Sequence, residues 1–316
     1  MTRAGPLHLG MVLPQAEIDT TDPLVVRDFA VRMERAGFDH LLAFEHVLGA
    51  DSTKRPDWDG YYNHESPFLE PFALFSYLAA VTSLELVTDV LVLPQRQTAL
   101  VAKQAATVDI LLCGKLRLGV GIGWNDVEYD ALGVSFRTRA RRLEEQVPLL
   151  RRLWTEQSVT HEGEFDTIDR AGLAPLPVQR PIPLWIGCGD APAALERVGR
   201  LADGWIPHPA LGDGGARVAA AWAAVRAAAE SAGRDPDCLG LQGQVHYRHR
   251  TGDAGVRSLL RWQEHGATHV SLNTMENGLA WPHGHAEAAL RWLDQWASAL
   301  DEHSVEVPDV ATGPVA

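Results

Sequence analysis

Eight short apolar runs alternate with longer segments of helical spacing, and this alternation constrains the fold of the chain more than any other feature. Strands that alternate with helices are typical of a parallel sheet with crossover helices. The predicted strands begin at Leu7, His40, Leu84, Leu116, Pro183, Gly204, Leu239 and His269. Eight such units predict an α/β fold in which the strands close into a (β/α)8 TIM barrel.

The predicted helices carry start and stop signals. Asp22 and Pro23 precede the first helix, and Gly37 follows it. Its apolar face comprises Val26, Phe29, Ala30 and Met33. The fourth predicted helix repeats this spacing at Leu143, Val147, Leu150 and Trp154. We expect residues 1–303 to form a single barrel domain and residues 304–316 to form a flexible tail.

Two long insertions interrupt the alternation. Val47 to Glu70 follows strand two and would leave the carboxyl end of that strand, where barrel enzymes build their sites, so it is a candidate lid. Its aromatic residues favour an apolar or ring-bearing ligand, although they could instead only pack the loop onto the barrel. Thr155 to Arg180 follows helix four and is expected on the opposite face unless it folds over the rim.

Charge and cysteine content exclude several classes of partner. The formal net charge of -13 opposes nonspecific binding to nucleic acid or an anionic membrane. No stretch reaches the roughly 18 apolar residues of a membrane span. The three cysteines lie far apart, so neither a disulfide framework nor a metal site is predicted, and Cys113 is expected to be a small buried residue. These features predict a soluble protein of the cytoplasm.

Two glycine clusters follow predicted strands. The run from Gly119 to Trp124 has glycine at every second position, which is not the spacing of a dinucleotide-binding loop. Its glycines either make room for neighbouring strands or let the backbone approach a flat ring or a phosphate. The second cluster, Gly187 to Gly189, precedes a helix with Pro192 in its first turn. It is interpreted as an anion cradle or, equally, as a tight turn.

An acid and an imidazole end strand two. Glu45 and His46 would lie at the mouth of the barrel, where a histidine can donate or accept a proton near neutral pH. An adjacent carboxylate can hold or charge such an imidazole. The alternative is an ordinary surface histidine.

The stretch from Glu70 to His208, together with the end of strand two, resembles the luciferase-like monooxygenase superfamily, specifically its deazaflavin-dependent oxidoreductase branch. The resemblance rests on several segments of the sequence: 43–46 (AFEH), 79–83 (AAVTS), 90–94 (VLVLP), 102–109 (AKQAATVD), 119–124 (GVGIGW), 129–133 (YDALG), 184–189 (LWIGCG) and 202–205 (ADGW).

The resemblance implies a barrel, usually a homodimer, that holds coenzyme F420 or, alternatively, FMN. In the family the cofactor ring lies in the mouth of the barrel, with a cis peptide behind it that maps to Asp89-Val90, and the histidine matching His46 can transfer protons. The resemblance places the cofactor phosphate near Gly187, Cys188 and Gly189. The full set of candidate cofactor-binding residues is Asp89, Val90, Gly121, Gly123, Trp124, Gly187, Cys188 and Gly189; Glu45 and His46 are the candidate catalytic residues.

The sequence departs from the family pattern at Asp89, where a small residue is common, and at Lys115, where the family commonly has glycine-arginine. Three functions are therefore carried forward. The first is an F420-dependent oxidoreductase that transfers hydride to or from a C=C, C=N or alcohol/carbonyl group of a small molecule. The alternatives are an FMN-dependent monooxygenase that uses oxygen and a non-catalytic barrel that acts as a binding subunit.

Overall fold

A computed structural model describes residues 7–17, 22–55, 57–58, 60–247, 252–275, 279 and 283–303. Its strands are β1 (His8–Val12), β2 (His40–Ala43), β3 (Glu85–Thr88), β4 (Leu91–Val92), β5 (Leu116–Gly121), β6 (Val159–Glu162), β7 (Thr167–Ala171), β8 (Leu184–Cys188), β9 (Gly204–Pro207), β10 (Gly240–His246) and β11 (His269–Asn273). Its helices are α1 (Pro23–Arg35), α2 (Pro71–Leu78), α3 (Thr98–Leu111), α4 (Asp126–Ala131), α5 (Arg139–Thr155), α6 (Pro192–Leu201), α7 (Ala216–Ser231), α8 (Gly252–Glu264) and α9 (His283–His303). The predicted tail over 304–316 lies outside the described residues.

The parallel strands close into a barrel. β1 pairs with both β2 and β11, and β3 pairs with β5, which joins the two ends of the sheet. β3 and β4 are two halves of one barrel strand, because β3 pairs with the start of β5 and β4 with its end. Between the halves lies the cis peptide Asp89-Val90. The predicted (β/α)8 fold is confirmed, and each predicted strand start falls within one residue of the observed one.

The first helix forms where its sequence signals predict. The Asp22 side chain accepts a hydrogen bond from the amide of Leu24, Pro23 is the first helical residue, and Gly37 follows with φ of 93°. The four predicted apolar residues of α1 are buried. Those of α5 are buried as well.

The second insertion folds as an antiparallel hairpin of β6 and β7. The Glu145 carboxylate on α5 accepts hydrogen bonds from the amides of residues 164, 165 and 166 at its tip. Asp166 also accepts a hydrogen bond from Thr98, the first residue of α3. Since α3 starts at the carboxyl ends of the strands, the hairpin tip returns toward the rim of the mouth.

Cys113 corrects one sequence prediction. It is exposed, with φ of 53°, and follows α3 in the turn toward β5. The turn geometry places its side chain outside the core, which the apolar context of α3 did not reveal.

The amino end of the barrel interior is filled by a polar and aromatic cluster. Arg117 forms an ion pair with Glu85 at 2.9 Å, donates a hydrogen bond to Gln242 at 2.9 Å, and lies 4.4 Å from the ring centre of Trp185. Burial, and secondarily the charge of Arg117, lowers the pKa of His269 to about 2, so this histidine is neutral. Arg117 thus contacts residues of β3, β8 and β10 at this end of the barrel.

Within the described part of the chain, no helix has both the length and the apolar composition needed to cross a lipid bilayer.

Candidate active site

The floor of the carboxyl-end cavity is built around Val90. A Cβ atom at Gly121 would lie 2.6 Å from Val90 Cγ2, and one at Gly187 would lie 2.6 Å from Val90 Cγ1. β5 and β8 therefore bring bare backbone to both sides of one valine. Val90 and Gly187 remain partly exposed, although both face the interior. Both glycines therefore leave room for the Val90 side chain.

Asp89 lies in the same floor. Its side chain accepts a long hydrogen bond of 3.4 Å from Gln244 of β10. Burial raises the pKa of Asp89 to about 7, although the charge of Arg117 acts in the opposite direction. The site therefore contains a carboxyl group that changes protonation near neutral pH.

His46 is held by a carboxylate from another part of the chain. Its Nδ1 lies 3.1 Å from Oε1 of Glu128 on α4, and the same oxygen accepts hydrogen bonds from the amides of Val47 and Leu48. Gln95 donates to the other oxygen. Burial by itself would raise the pKa of Glu128, but the hydrogen bonds from His46, Gln95 and the backbone hold it below its usual value.

The ionised Glu128 fixes the tautomer of His46. A carboxylate accepts, so in the neutral ring Nδ1 carries the proton and Nε2 keeps its lone pair. Among the described residues Nε2 has no hydrogen-bond partner, and it is not among the fully buried unpaired atoms. His46 is thus arranged to accept a proton at Nε2.

Glu45 does not contact the His46 imidazole, which corrects the predicted pairing of neighbours. Glu45 is buried and accepts hydrogen bonds from Arg96 and from the amide of Val92. Its contacts tie β2 to β4, and they place the carboxylate away from the cavity.

The first insertion crosses the mouth as predicted for a lid. Trp58 and Tyr61 pack against Trp124, which follows β5, with ring centres 5.5 and 5.8 Å away. Tyr61 also lies 5.8 Å from His208, which follows β9. The segment therefore spans from β2 to the far side of the barrel, and 69% of the Tyr61 surface stays exposed.

His208 has the opposite tautomer to His46. Its Nδ1 accepts a hydrogen bond of 3.2 Å from the amide of Ala210, so in the neutral ring the proton lies on Nε2. Burial lowers the pKa of His208, which favours that neutral form. The mouth therefore offers an imidazole acceptor at His46 and an imidazole donor at His208.

The Gly187 to Gly189 turn leads into α6. A Cβ atom at Gly189 would meet nothing within 4 Å, so its backbone faces open space. Burial raises the pKa of the Cys188 thiol to about 11, which keeps this residue neutral. The next residue, Asp190, is neutralised by Arg217 through two hydrogen bonds of 2.6 and 3.0 Å. An anion bound at this turn would therefore lie near an aspartate whose charge is balanced by Arg217.

The structure brings most of the predicted site residues together. Asp89, Val90, Gly121 and Gly187 form the floor, and His46 and Trp124 form part of the rim. Gly123 serves mainly to admit Val92, since a Cβ there would lie 2.7 Å from Cγ1 of that side chain. Sequence reasoning missed Glu128, Gln244 and His208. The sequence signal for Glu128 is its position just beyond the glycines of β5.

No group of three or more His, Cys, Asp or Glu side chains in the described ranges is arranged to hold a metal ion.

Comparison with known sequences identifies the family. The profile of the luciferase-like monooxygenases matches residues 9–307. The chain belongs to this family. An uncharacterized protein of Mycobacterium tuberculosis is 40% identical over 152 residues, 48% of this chain and 52% of that protein. An F420-dependent glucose-6-phosphate dehydrogenase of Kineococcus radiotolerans is 33% identical over 212 residues, 65% of this chain and 57% of that protein. The chain thus spans about half the length of the curated relatives it matches.

Solved structures share the fold. A long-chain alkane monooxygenase superposes with a TM-score of 0.77 at 12% identity, covering 98% of this chain and 94% of the other. An F420-dependent secondary alcohol dehydrogenase gives 0.73 at 16% identity, covering 92% and 99%. At these identities the likeness shows the luciferase-like barrel alone. Relatives and structural neighbours therefore include F420-dependent dehydrogenases and monooxygenases.

Proposed function

We propose that the chain is an oxidoreductase that binds coenzyme F420 at the carboxyl end of the barrel and exchanges hydride with a small organic molecule. The observation that carries this proposal is the bare backbone of Gly121 and Gly187 on either side of Val90. The sequence likeness to an F420-dependent dehydrogenase supports the deazaflavin over FMN.

The residues fit a planar cofactor with an anionic tail. Val90 and the two flanking glycines would support the ring, because no longer side chain projects from β5 or β8 at that level. The turn at Gly189 would take the phosphate, since it has open space at its backbone and lies before the amino end of α6. When bound, the deazaflavin supplies two-electron hydride chemistry at carbon five of its ring.

His46 would manage the proton that accompanies hydride transfer. Its Nε2 lone pair can accept the hydroxyl proton of an alcohol, and the resulting imidazolium would be stabilised by the Glu128 carboxylate 3.1 Å from Nδ1. In the reverse direction the same imidazolium returns a proton to a carbonyl oxygen. Glu128 acts through His46, so it is a positioning residue.

His208 and the lid would orient the substrate. The Nε2–H of His208 can donate a hydrogen bond to a substrate oxygen, and Tyr61 and Trp124 would cover the apolar part. Closure by these rings excludes water from the reacting atoms.

The test is a titration of the purified protein with oxidised F420 and, separately, with FMN, followed by fluorescence. A dissociation constant for F420 in the micromolar range or below, with much weaker FMN binding, is the expected result. Tighter binding of FMN would move the chain to the FMN-dependent monooxygenases. Failure to bind either cofactor would favour the non-catalytic barrel.

A further inference from the structure

Asp89 is a titratable group in the cavity floor that the proton path through His46 does not use. It precedes Val90 at the break between β3 and β4, and its amide donates to the carbonyl of Ala43. Its side chain points into the barrel toward β10 and keeps a partly exposed surface. A carboxyl group at this level lies within the surface on which the ring is proposed to rest.

A row of amides determines which oxygen of Asp89 is occupied. The amide N–H of Met275 donates to Oδ1 of Asn273 at 2.9 Å, which leaves Nδ2 of Asn273 to donate to Oε1 of Gln244. Nε2 of Gln244 then donates to Oδ2 of Asp89. Because a backbone N–H can only donate, the donor and the acceptor of each hydrogen bond in this row are determined.

The other oxygen of Asp89, Oδ1, is left for a ligand. It has no hydrogen-bond partner among the residues that the structure describes, and it is not one of the fully buried unpaired atoms. In the neutral carboxyl group the proton belongs on Oδ1, since Oδ2 is already an acceptor. Oδ1–H is therefore a hydrogen-bond donor on a side chain that stays partly exposed between β3 and β4.

We propose that the neutral Asp89 carboxyl donates a hydrogen bond to a carbonyl or ring-nitrogen acceptor on the edge of a planar heterocycle bound in the barrel. The inference rests on the proposed function and adds a recognition residue for its cofactor. Ionisation of Asp89 removes the donor and places a negative charge against the same acceptor. Binding of the heterocycle is therefore coupled to protonation of Asp89.

The groups that face Asp89 are consistent with a neutral acid at moderate pH. Arg117 on β5 is the nearest cation, but its charge is shared with Glu85 on β3. His40 on β2 and His269 on β11 are held neutral by burial. Gln244 and Asn273, on β10 and β11, are uncharged. At the rim, His46 is paired with Glu128, burial lowers the pKa of His208, and the Asp190 carboxylate is paired with Arg217.

The test compares the wild type with two variants by isothermal titration calorimetry of oxidised F420 between pH 6 and 8.5. With the pKa of Asp89 at about 7, wild-type affinity should fall about 30-fold across this range. Asp89→Asn keeps the shape and replaces Oδ1–H with a permanent amide donor, so its affinity should stay high and change less than about threefold. Asp89→Leu removes the donor and should bind weakly at both ends of the range.

His208→Gln serves as the control for a second titrating group and should keep the wild-type pH slope. The same ligand is used throughout, so its own ionisation cancels in the ratio between variants. An Asp89→Asn protein with the wild-type slope would overturn this inference and leave the proposed function standing. A wild type that binds no F420 at any pH would overturn both.

Discussion

The two ends of the barrel interior use glycine in opposite ways. At the amino end, Cβ atoms at Gly204 and Gly240 would lie 2.4 and 2.1 Å from the Trp185 ring, so the indole fills the space that the glycines leave. At the carboxyl end, Cβ atoms at Gly121 and Gly187 would each lie 2.6 Å from a methyl group of Val90, and Gly187 stays partly exposed. The size of the neighbouring side chain decides whether a glycine completes a core or opens a cavity. The amino end therefore supports folding, and the carboxyl end is available to a ligand.

The largest expected effect is at the carboxyl end. Gly187→Leu should weaken F420 binding more than about 100-fold, because the side chain would occupy the proposed ring surface. The substitution also presses on Val90, so Gly189→Leu, whose Cβ meets nothing within 4 Å, is the cleaner second variant. Both are measured by F420 titration with circular dichroism as the check on folding. Undiminished affinity in folded Gly189→Leu would place the phosphate elsewhere.

Removal of the imidazole should separate chemistry from binding. His46→Ala is expected to lower kcat about 100-fold while the dissociation constant for F420 changes little, because the imidazole would act on the substrate proton. Steady-state kinetics with an alcohol or carbonyl substrate, paired with the titration, gives both quantities. His64→Ala, at an exposed histidine of the same lid, is the matched control. Unchanged turnover would remove His46 from the mechanism.

At the amino end the main effect should be on folding. Arg117→Met leaves the partly exposed Glu85 carboxylate without its partner and is expected to lower the free energy of unfolding by about 1–3 kcal/mol. Urea denaturation measures the loss. The fraction that remains folded should bind F420 with near wild-type affinity at low pH, where Asp89 is neutral. A variant that is stable but no longer binds would contradict the division between the two ends.

A further expected effect is a pH dependence of stability without ligand. The pKa of Asp89 is raised from 3.8 to about 7, so between these pH values the folded protein holds a proton that the unfolded chain lacks. Asp89 therefore increases the free energy of unfolding at low pH, and this contribution is lost as pH rises through about 7. Asp89→Asn should be more stable than wild type at pH 8 and similar at pH 4. Equal differences in melting temperature at both pH values would contradict the shift.

Much of the fold could be predicted because its signals are local. Apolar strands, the Asp22-Pro23 start and the Gly37 stop each lie within a few residues of the element they define. The cis peptide at Asp89-Val90 and the family followed from the resemblance, and both are confirmed. The homodimer and the cytoplasmic location stay predictions.

The site was less predictable because its key contact joins distant residues. Glu128 and His46 are 82 positions apart in the sequence, and α4, which holds Glu128, is only six residues long. The neighbour Glu45 is the natural partner in sequence, but its carboxylate accepts a hydrogen bond from Arg96 instead. The orientation of His208 depends on a backbone amide, which no side-chain pattern records.

The lid is held at both ends by carboxylates. At the start of the lid, the amides of Val47 and Leu48 donate hydrogen bonds to Glu128. At its end, Glu70 forms an ion pair of 3.0 Å with Arg96. Between these fixed points, Tyr62 and Phe68 pack against the His46 imidazole, with ring centres 5.1 and 5.0 Å away. A relative's loop grafted between residues 49 and 69 would therefore have to keep an aromatic ring at both of these positions, while the rest of the segment could be exchanged to alter the surface that covers the mouth.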